Sequence, residues 1–298
     1  MSVRFNPDLY GSILSGLNVN NLDEANAQQE LATGRRVNQP SDDPAATAVA
    51  IGIHWQSSQD NQFSRNISSI SGLLQTADST LSSVVTALTQ AVTLGVQAGD
   101  SSLSASNRTT ISNQIQSISS QVLTLANTTY QGSYIFAGTN SGQPAYAANA
   151  ASPTGVTYQG NAATNQVEIS KGQKITVNVP GSQIFSNSAN DVFAALQNLA
   201  QAAQSGTGVD TAVAQLRSAF DYVNTQRTFY GSQLNQVQTT TTFLQNDKVQ
   251  LASQENDATG IDLAQAATDV QKALTNRSAI LAAGGKIQNV SLLDYLQG

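Results

Sequence analysis

Apolar residues recur at alternating steps of three and four along two long stretches of the chain. Ile67, Ile70, Leu74, Ala77, Leu81, Val84 and Leu88 form one series, and Ile111, Ile115, Ile118, Val122 and Leu125 a second. A third runs through Val213, Leu216, Phe220, Val223, Tyr230, Leu234, Val237, Thr241, Leu244 and Leu251, with Arg227 and Lys248 filling two seam positions. Leu263, Ala267, Val270, Leu274 and Leu281 make a fourth. A step averaging 3.5 residues keeps one apolar stripe facing a partner helix. Prolines occur only at 7, 40, 44, 144, 153 and 180, so the tracts 45–143 and 181–298 lack them. Proline costs about 3 kcal/mol inside a helix, and tracts without it permit long helices. The pattern predicts a coiled-coil-like helical rod.

Local signals divide the rod. Asp43-Pro44 reads as an N-cap followed by proline at the first helical position. Gly95, Gly99 and the segment 100–106 read as a turn between two helices. Asn190-Asp191 and Asp210 mark further helix starts, the segment 257–260 interrupts the C-terminal helices, and Gly284-Gly285 marks a kink in the last one.

Between the two tracts the period changes to two. Tyr134 and Phe136 alternate with Ile135 and Ala137, which predicts a short strand. Val167 and Ile169 alternate, Lys171-Gly172 supplies a turn, and Ile175, Val177 and Val179 alternate again, which predicts a β-hairpin. The fold class is therefore mainly α with a small β-rich insertion: an elongated rod drawn from both chain ends, with a discontinuous β domain at its far tip. The expected division is 1–40 with 261–298 as a terminal domain, 41–138 with 181–260 as the helical rod, and 139–180 as a variable β-rich domain.

Composition narrows the function. The 298 residues are 40% apolar and only 11% charged, with a net charge of -6, against a usual charged share of about 25%. No cluster of positive charge exists to replace phosphate counterions, so no nucleic-acid partner is read. The chain has no Cys and one His, which removes disulfides, thiolate ligands and multi-histidine metal sites. No stretch approaches 18 consecutive apolar residues, and no basic region followed by an apolar core opens the chain. Neither a membrane partner nor a cleaved secretory signal is expected. From Thr109 to Val167 no charged residue occurs, while Ser, Thr, Gln and Asn abound. Such faces suit burial against neighbouring subunits, where unpaired charge is costly to desolvate. A low-charge secreted protein with solvated polar helices accounts for them equally well.

Candidate chemistry is sparse. His54 and Trp55 are adjacent, so on a helix they point about 100° apart and share no small site. Asp42-Asp43 could pair as carboxylates or calcium ligands, but beside Ser41 and Pro44 a helix cap is favoured. Arg35-Arg36 reads as a subunit-contact or solvated pair. Asn66-Ile67-Ser68 and Asn127-Thr128-Thr129 match glycosylation acceptor triplets, which arise often by chance in such a chain. No phosphate-binding loop or nucleophile–base pair stands out, so neither an enzyme nor a cofactor is expected.

The chain ends carry a different signal. Leu9, Tyr10, Ile13, Leu14 and Leu17 give an amphipathic start, and Ile287, Val290, Leu293 and Leu296 lie at helical spacing near the end. Chain ends fray unless they dock, so these stripes pair with each other in one bundle or with other subunits.

Several motifs in order resemble the flagellin superfamily, and within it the hook-associated members. Residues 31–50, with Leu31-Ala32-Thr33-Gly34-Arg35-Arg36-Val37-Asn38 and Pro40-Ser41-Asp42-Asp43-Pro44, look like its N-terminal signature. Residues 125–138, ending Tyr134-Ile135-Phe136-Ala137-Gly138, are similar to its hairpin entry, and Gly181-Ser182-Gln183-Ile184-Phe185 to the return from its variable domain. Residues 261–269, opening Ile261-Asp262-Leu263-Ala264, and the ending Ser291-Leu292-Leu293-Asp294-Tyr295-Leu296 resemble its C-terminus. The stretch Ser2-Val3-Arg4-Phe5 with Pro7 follows the family pattern only loosely.

The resemblance implies a structural subunit of the bacterial flagellum, in the layer joining hook to filament. It implies terminal segments that are unfolded in the free monomer and form a coiled coil in the assembled tube, with the β domain facing outward. It also implies export without a cleaved signal through the flagellar type III apparatus, and a cytoplasmic chaperone on the C-terminal helix. Expected partners are copies of itself in a ring, a second hook-associated junction protein, and flagellin. A flagellin-type filament subunit is the nearest alternative, and a secreted surface adhesin a more distant one.

Overall fold

The computed structural model describes the backbone of residues 7–296 and the side chains of residues 11–286. The chain is mainly α with a small antiparallel insertion. Helices α1 (Pro7–Thr33), α2 (Pro44–Ala98) and α3 (Ala105–Ala126) come first. Six short strands follow: β1 (Thr129–Tyr130), β2 (Ser133–Tyr134), β3 (Tyr146–Ala148), β4 (Val156–Tyr158), β5 (Gln166–Ser170) and β6 (Gln173–Thr176). The short α4 (Gly181–Ile184), β7 (Ser186–Asn187), β8 (Asn190–Asp191), α5 (Val192–Ser205), α6 (Val209–Thr259) and α7 (Leu263–Leu296) complete the order. Two compact units result, Asp60–Gln245 and Met1–Gln59 with Asn246–Gly298, and α2 and α6 contribute to both.

In the unit Asp60–Gln245 the heptad stripes become the core. Leu74, Leu81, Val84 and Leu88 of α2, Ile115 and Val122 of α3, Leu196 and Leu199 of α5, and Leu216 and Val223 of α6 are fully buried. By length and composition α2 is apolar enough to cross a membrane; here its leucines face the other helices of its own unit. α2 and α6 run antiparallel, with Gly95 beside Val213 and Asp78 beside Arg227. Arg227 is tolerated in the seam because its Nε donates to Asp78 Oδ1 at 2.9 Å. Lys248, by contrast, is exposed.

Gly95 does not open a turn. It lies inside the last turns of α2, where an added Cβ would stand 2.7 Å from Val213 Cγ2 and 2.9 Å from Leu199 Cδ1. The residue is small because three helices meet there. The chain turns only after Ala98, and Ser104 starts α3 by accepting from Asn107 N.

Among the described residues the strands form four separate antiparallel hairpins. The hairpin β5–β6 pairs Val167 with Ile175 and turns at Gly172, whose φ of 74° suits glycine. Two sequence expectations fail nearby. The strand over 134–137 ends at Tyr134, because Ile135, Phe136 and Ala137 are all buried in succession, which alternation forbids. Val177 and Val179 lie beyond β6, although Val177 N still donates to Asn165 O. The hairpin β3–β4 escaped the sequence reading: its Tyr146 and Tyr158 pair across the strands and their rings meet at a tilt of 57° with centroids 5.0 Å apart. Tyr146 also meets Phe185 and Phe193, and Phe136 meets Phe185 edge-on, making an aromatic core. Asp191 caps α5 by accepting from Ala194 N at 2.8 Å.

In the other unit α1 packs on α7. The seam is built from Asn20 and Ala27 of α1 and Ala266 and Ala273 of α7, all buried, and Asn20 Nδ2 donates to Ala273 O at 3.0 Å. The stripe Leu263, Ala267, Val270, Leu274 and Leu281 is therefore not the seam. Leu263, Ala267, Leu274 and Leu281 are exposed and Val270 is half-buried. Small side chains let two helix backbones approach closely, so the alanine face takes the seam and the leucine face is left outward. α7 continues through Gly284-Gly285 without a break.

Candidate assembly interface

The two connections between the helices of this second unit are held together by charged side chains. Gly34 follows α1 with a φ of 68°, and the chain then passes beside the α6–α7 connection, where Arg35 bridges Gly260 in antiparallel fashion. Arg36 N donates to Thr259 O at 2.8 Å, and the Arg36 guanidinium donates to Ala258 O and to Asp43 Oδ2. Arg35 donates to Glu255 Oε1 at 2.8 Å, and His54 Nε2 lies 3.2 Å from the same oxygen. Arg35-Arg36 thus grips α6 of its own chain. Nothing local points to Glu255, which stands 220 residues from Arg35.

The segment Ser41-Asp42-Asp43-Pro44 shapes the start of α2. Asp43 Oδ1 accepts from Ala45 N and Ala46 N, and Pro44 opens the helix. Those bonds, above all the one from Ala46, together with Arg36, hold the Asp43 carboxyl below its ordinary range. Asp42 Oδ2 accepts from Asn38 N and Gln39 N, folding the preceding turn, and Ser41 sits exposed in that turn. The two carboxylates face different backbone amides. Among the described residues no group of three His, Asp or Glu side chains is placed to hold a metal ion. Both glycosylation-like asparagines have their amides engaged, Asn66 with Glu168 O and Asn127 with Tyr146 O.

The unit also presents apolar side chains outward in series. On α7 Leu263 is 59% and Leu281 55% exposed, and Leu274 lies between them on the same stripe. On α1 Leu14, Val19, Leu22 and Leu31 are exposed, while Ile13 and Leu17 are half-buried. The first part of α2 adds Val49, Ile51 and Trp55, the last 60% exposed. Single exposed apolar residues are ordinary, whereas several along one helix form a continuous apolar strip. The side chains of Leu9, Tyr10, Ile287, Val290, Leu293 and Leu296 lie outside the described residues. Sequence periodicity found the apolar stripes but could not tell which of two faces on α7 turns inward.

Comparison with known proteins locates this arrangement. The bacterial flagellin N-terminal helical region matches residues 9–141, and the bacterial flagellin C-terminal helical region matches residues 209–296. The flagellar hook-associated protein 3 of Salmonella typhimurium is 25% identical over 223 residues, 74% of this chain and 68% of that protein. The protein of the same name from Escherichia coli is 26% identical over 191 residues, 64% of this chain and 59% of its own length. The crystal structure of Bacillus cereus FlgL superposes with a TM-score of 0.60 at 25% identity, covering 69% of this chain and 99% of that one.

Proposed function

This chain belongs to the flagellin superfamily, and we propose on that footing that it is the structural subunit forming the layer that connects hook to filament. The observation that carries this reading is the match of hook-associated relatives over 74% and 64% of the chain, beside flagellin helical regions on both arms and outward leucines on α7. The superfamily is one of structural flagellar proteins, and the place of this chain is the flagellum. A flagellin-type filament subunit is the alternative; the curated relatives of that kind cover a smaller part of the chain, 46% for flagellin B of Helicobacter pylori.

The mechanism is mechanical. A helical tube needs heterologous head-to-tail contacts that propagate without closing on a pair. The terminal segments 1–40 and 261–298 serve as the inner coiled coil, with Leu9, Tyr10, Ile13, Leu14, Leu17, Ile287, Val290, Leu293 and Leu296 in the assembly contact. Residues 41–138 with 181–260 form the wall and 139–180 the outer surface. The described α1–α7 seam supports this division, because it buries alanine methyls, each worth about 0.8 kcal/mol, instead of leucines. A pair so weakly held orders fully only when neighbours cover its outward leucines, and that ordering cost suppresses association before export. Export is through the flagellar apparatus to the cell exterior, with a chaperone on the C-terminal helix beforehand. The assembled neighbours are copies of itself, a second hook-associated protein and flagellin.

Immunogold electron microscopy of intact flagella with antibody against residues 139–180 tests the reading. A single band at the hook–filament boundary is the expected result. Label along the whole filament would make the chain a filament subunit, and label absent from flagella would overturn both.

A further inference from the structure

Two polar side chains occupy seam positions between α1 and α7 that a coiled coil would fill with apolar ones. On α1 the seam runs Ile13, Leu17, Asn20, Glu24 and Ala27, at alternating steps of three and four, and each is buried or half-buried. On α7 Ala266, Val270, Ala273, Arg277 and Ile280 keep the same spacing. Asn20 is 6% exposed, and its Nδ2 donates to Ala273 O at 3.0 Å. A Cβ added to Gly284 would stand 3.7 Å from Ile13 Cγ2, so the two helices run antiparallel. One turn beyond Asn20, the Glu24 side chain is 12% exposed. Its Oε2 accepts from Arg277 Nη1 and its Oε1 from Gln28 Nε2, both at 3.2 Å.

The leucine stripe of α7 lies beside this seam. Ala267, Leu274 and Leu281 each follow a seam residue by one position, which turns them about 100° around the helix. Burying those leucines against Ile13 and Leu17 would remove more apolar area from water than burying alanines does. Yet Leu274 is 39% and Leu281 55% exposed. The polar pair on α1 supplies the reason. With Leu274 turned inward, its side chain would screen the carbonyl that Asn20 uses, and Arg277 would swing away from Glu24. Both polar groups would then be enclosed without partners. An unpaired interior amide weighs roughly 5- to 150-fold against a packing, and an unpaired carboxylate weighs more. Ala273 is small enough to leave its own carbonyl open to Asn20.

We infer that Asn20 and Glu24 select the face that α7 turns to α1, and hold its leucine stripe outward at a cost in the stability of the pair. A single polar residue in a helix seam fixes how the helices are arranged while giving up stability. Close approach of the alanines favours the same face. If that approach alone decided the matter, Asn20 and Glu24 would be incidental, and replacing them would leave α7 where it is. The inference concerns one chain by itself and holds whichever flagellar layer the chain occupies.

The absence of cysteine gives each probe one reactive site. Ala266→Cys reports on the seam, where Ala266 is 3% exposed, and Leu281→Cys on the stripe. Each is placed in the purified full-length chain, with the natural seam or with Asn20→Leu and Glu24→Leu together. Labelling by a maleimide is timed in trimethylamine N-oxide, which favours burial. With the natural seam Leu281→Cys should react about tenfold faster than Ala266→Cys, in keeping with the weight of one unpaired amide. The double leucine variant should reverse that order, and should also resist urea better by circular dichroism. An unchanged order in a variant that keeps its helicity would overturn the inference and leave alanine approach as the cause. Lost helicity would overturn it too, since the polar pair would then hold the helices together rather than choose between faces. Equal rates with the natural seam would overturn it by showing that no face is chosen. The junction-subunit reading survives each of these results.

Discussion

Tyr230→Phe isolates one hydrogen bond that ties the return of the β insertion to α6. Tyr230 is 1% exposed, and its Oη accepts from Val179 N at 3.1 Å. Burial pushes the phenol pKa far up, so the hydroxyl stays neutral throughout the working range of the protein. Phenylalanine keeps the ring and its edge contact with Phe229 at 5.4 Å, but removes the oxygen that accepts from the Val179 amide. Val179 is itself buried, and an interior amide left without an acceptor costs about 1–3 kcal/mol. At about 1.4 kcal/mol per tenfold, opening at Val179 should become roughly 5- to 150-fold more frequent. Hydrogen exchange followed by mass spectrometry over peptides covering 175–185 reads this directly. Peptides from α3 and α5 should change little. Tyr230→Ala also removes the ring and should cost about 3–5 kcal/mol, seen as global loss of stability in urea. Unchanged exchange at Val179 in Tyr230→Phe would refute the reasoning, since it would mean the amide never depended on that oxygen.

Other outcomes follow from the same geometry. Gly95→Val places carbon against Val213 and Leu199 at the meeting of α2, α5 and α6, and should destabilise the protein by about 1–3 kcal/mol in thermal or urea unfolding; wild-type stability would show that the helices separate freely there. The Asp43 carboxyl is held below its ordinary range, so its capping contribution is present above the unfolded carboxylate pKa and lost as pH falls through the lowered folded value. Exchange protection at Ala45 and Ala46 should therefore collapse on acidification in the wild type, and change far less with pH in Asp43→Asn, which keeps a capping oxygen without a titrating group. Deleting Leu293 to Leu296 should abolish incorporation into flagella while residues 45–255 stay folded by circular dichroism; normal filament attachment would show that the last turns carry no contact.

Much of the fold was legible because heptad spacing and burial share one cause. Every member of the series from Ile67 to Leu88 is buried, since a stripe repeating every 3.5 residues has one side to hide. The Asp43-Pro44 and Asp191 caps were equally readable, because a side-chain oxygen satisfying free amides at a helix start is a local matter. The candidate interface was half legible. Periodicity named the leucines of α7, but the alanines Ala266 and Ala273 on another face took the seam. Gly95 misled because a glycine that loosens a turn and one that admits a neighbour look alike in sequence. Glu255 and Asn20 carried no signal at all, as their partners lie more than 200 residues away.

The sequence by itself determined where helices run, where they start, and that the middle of the chain turns to strands. These depend on proline, period and capping, which act over a few residues. It also determined that the tract from Thr109 to Val167 carries no charge. Tertiary structure decided which face of α7 is inward and that Arg35 and Arg36 close on Glu255 and Ala258. It likewise decided that Phe136, Tyr146, Phe185 and Phe193 share one core. Those outcomes turn on which surfaces approach most closely once the helices pair, and no local rule encodes a distance between residues far apart in the chain.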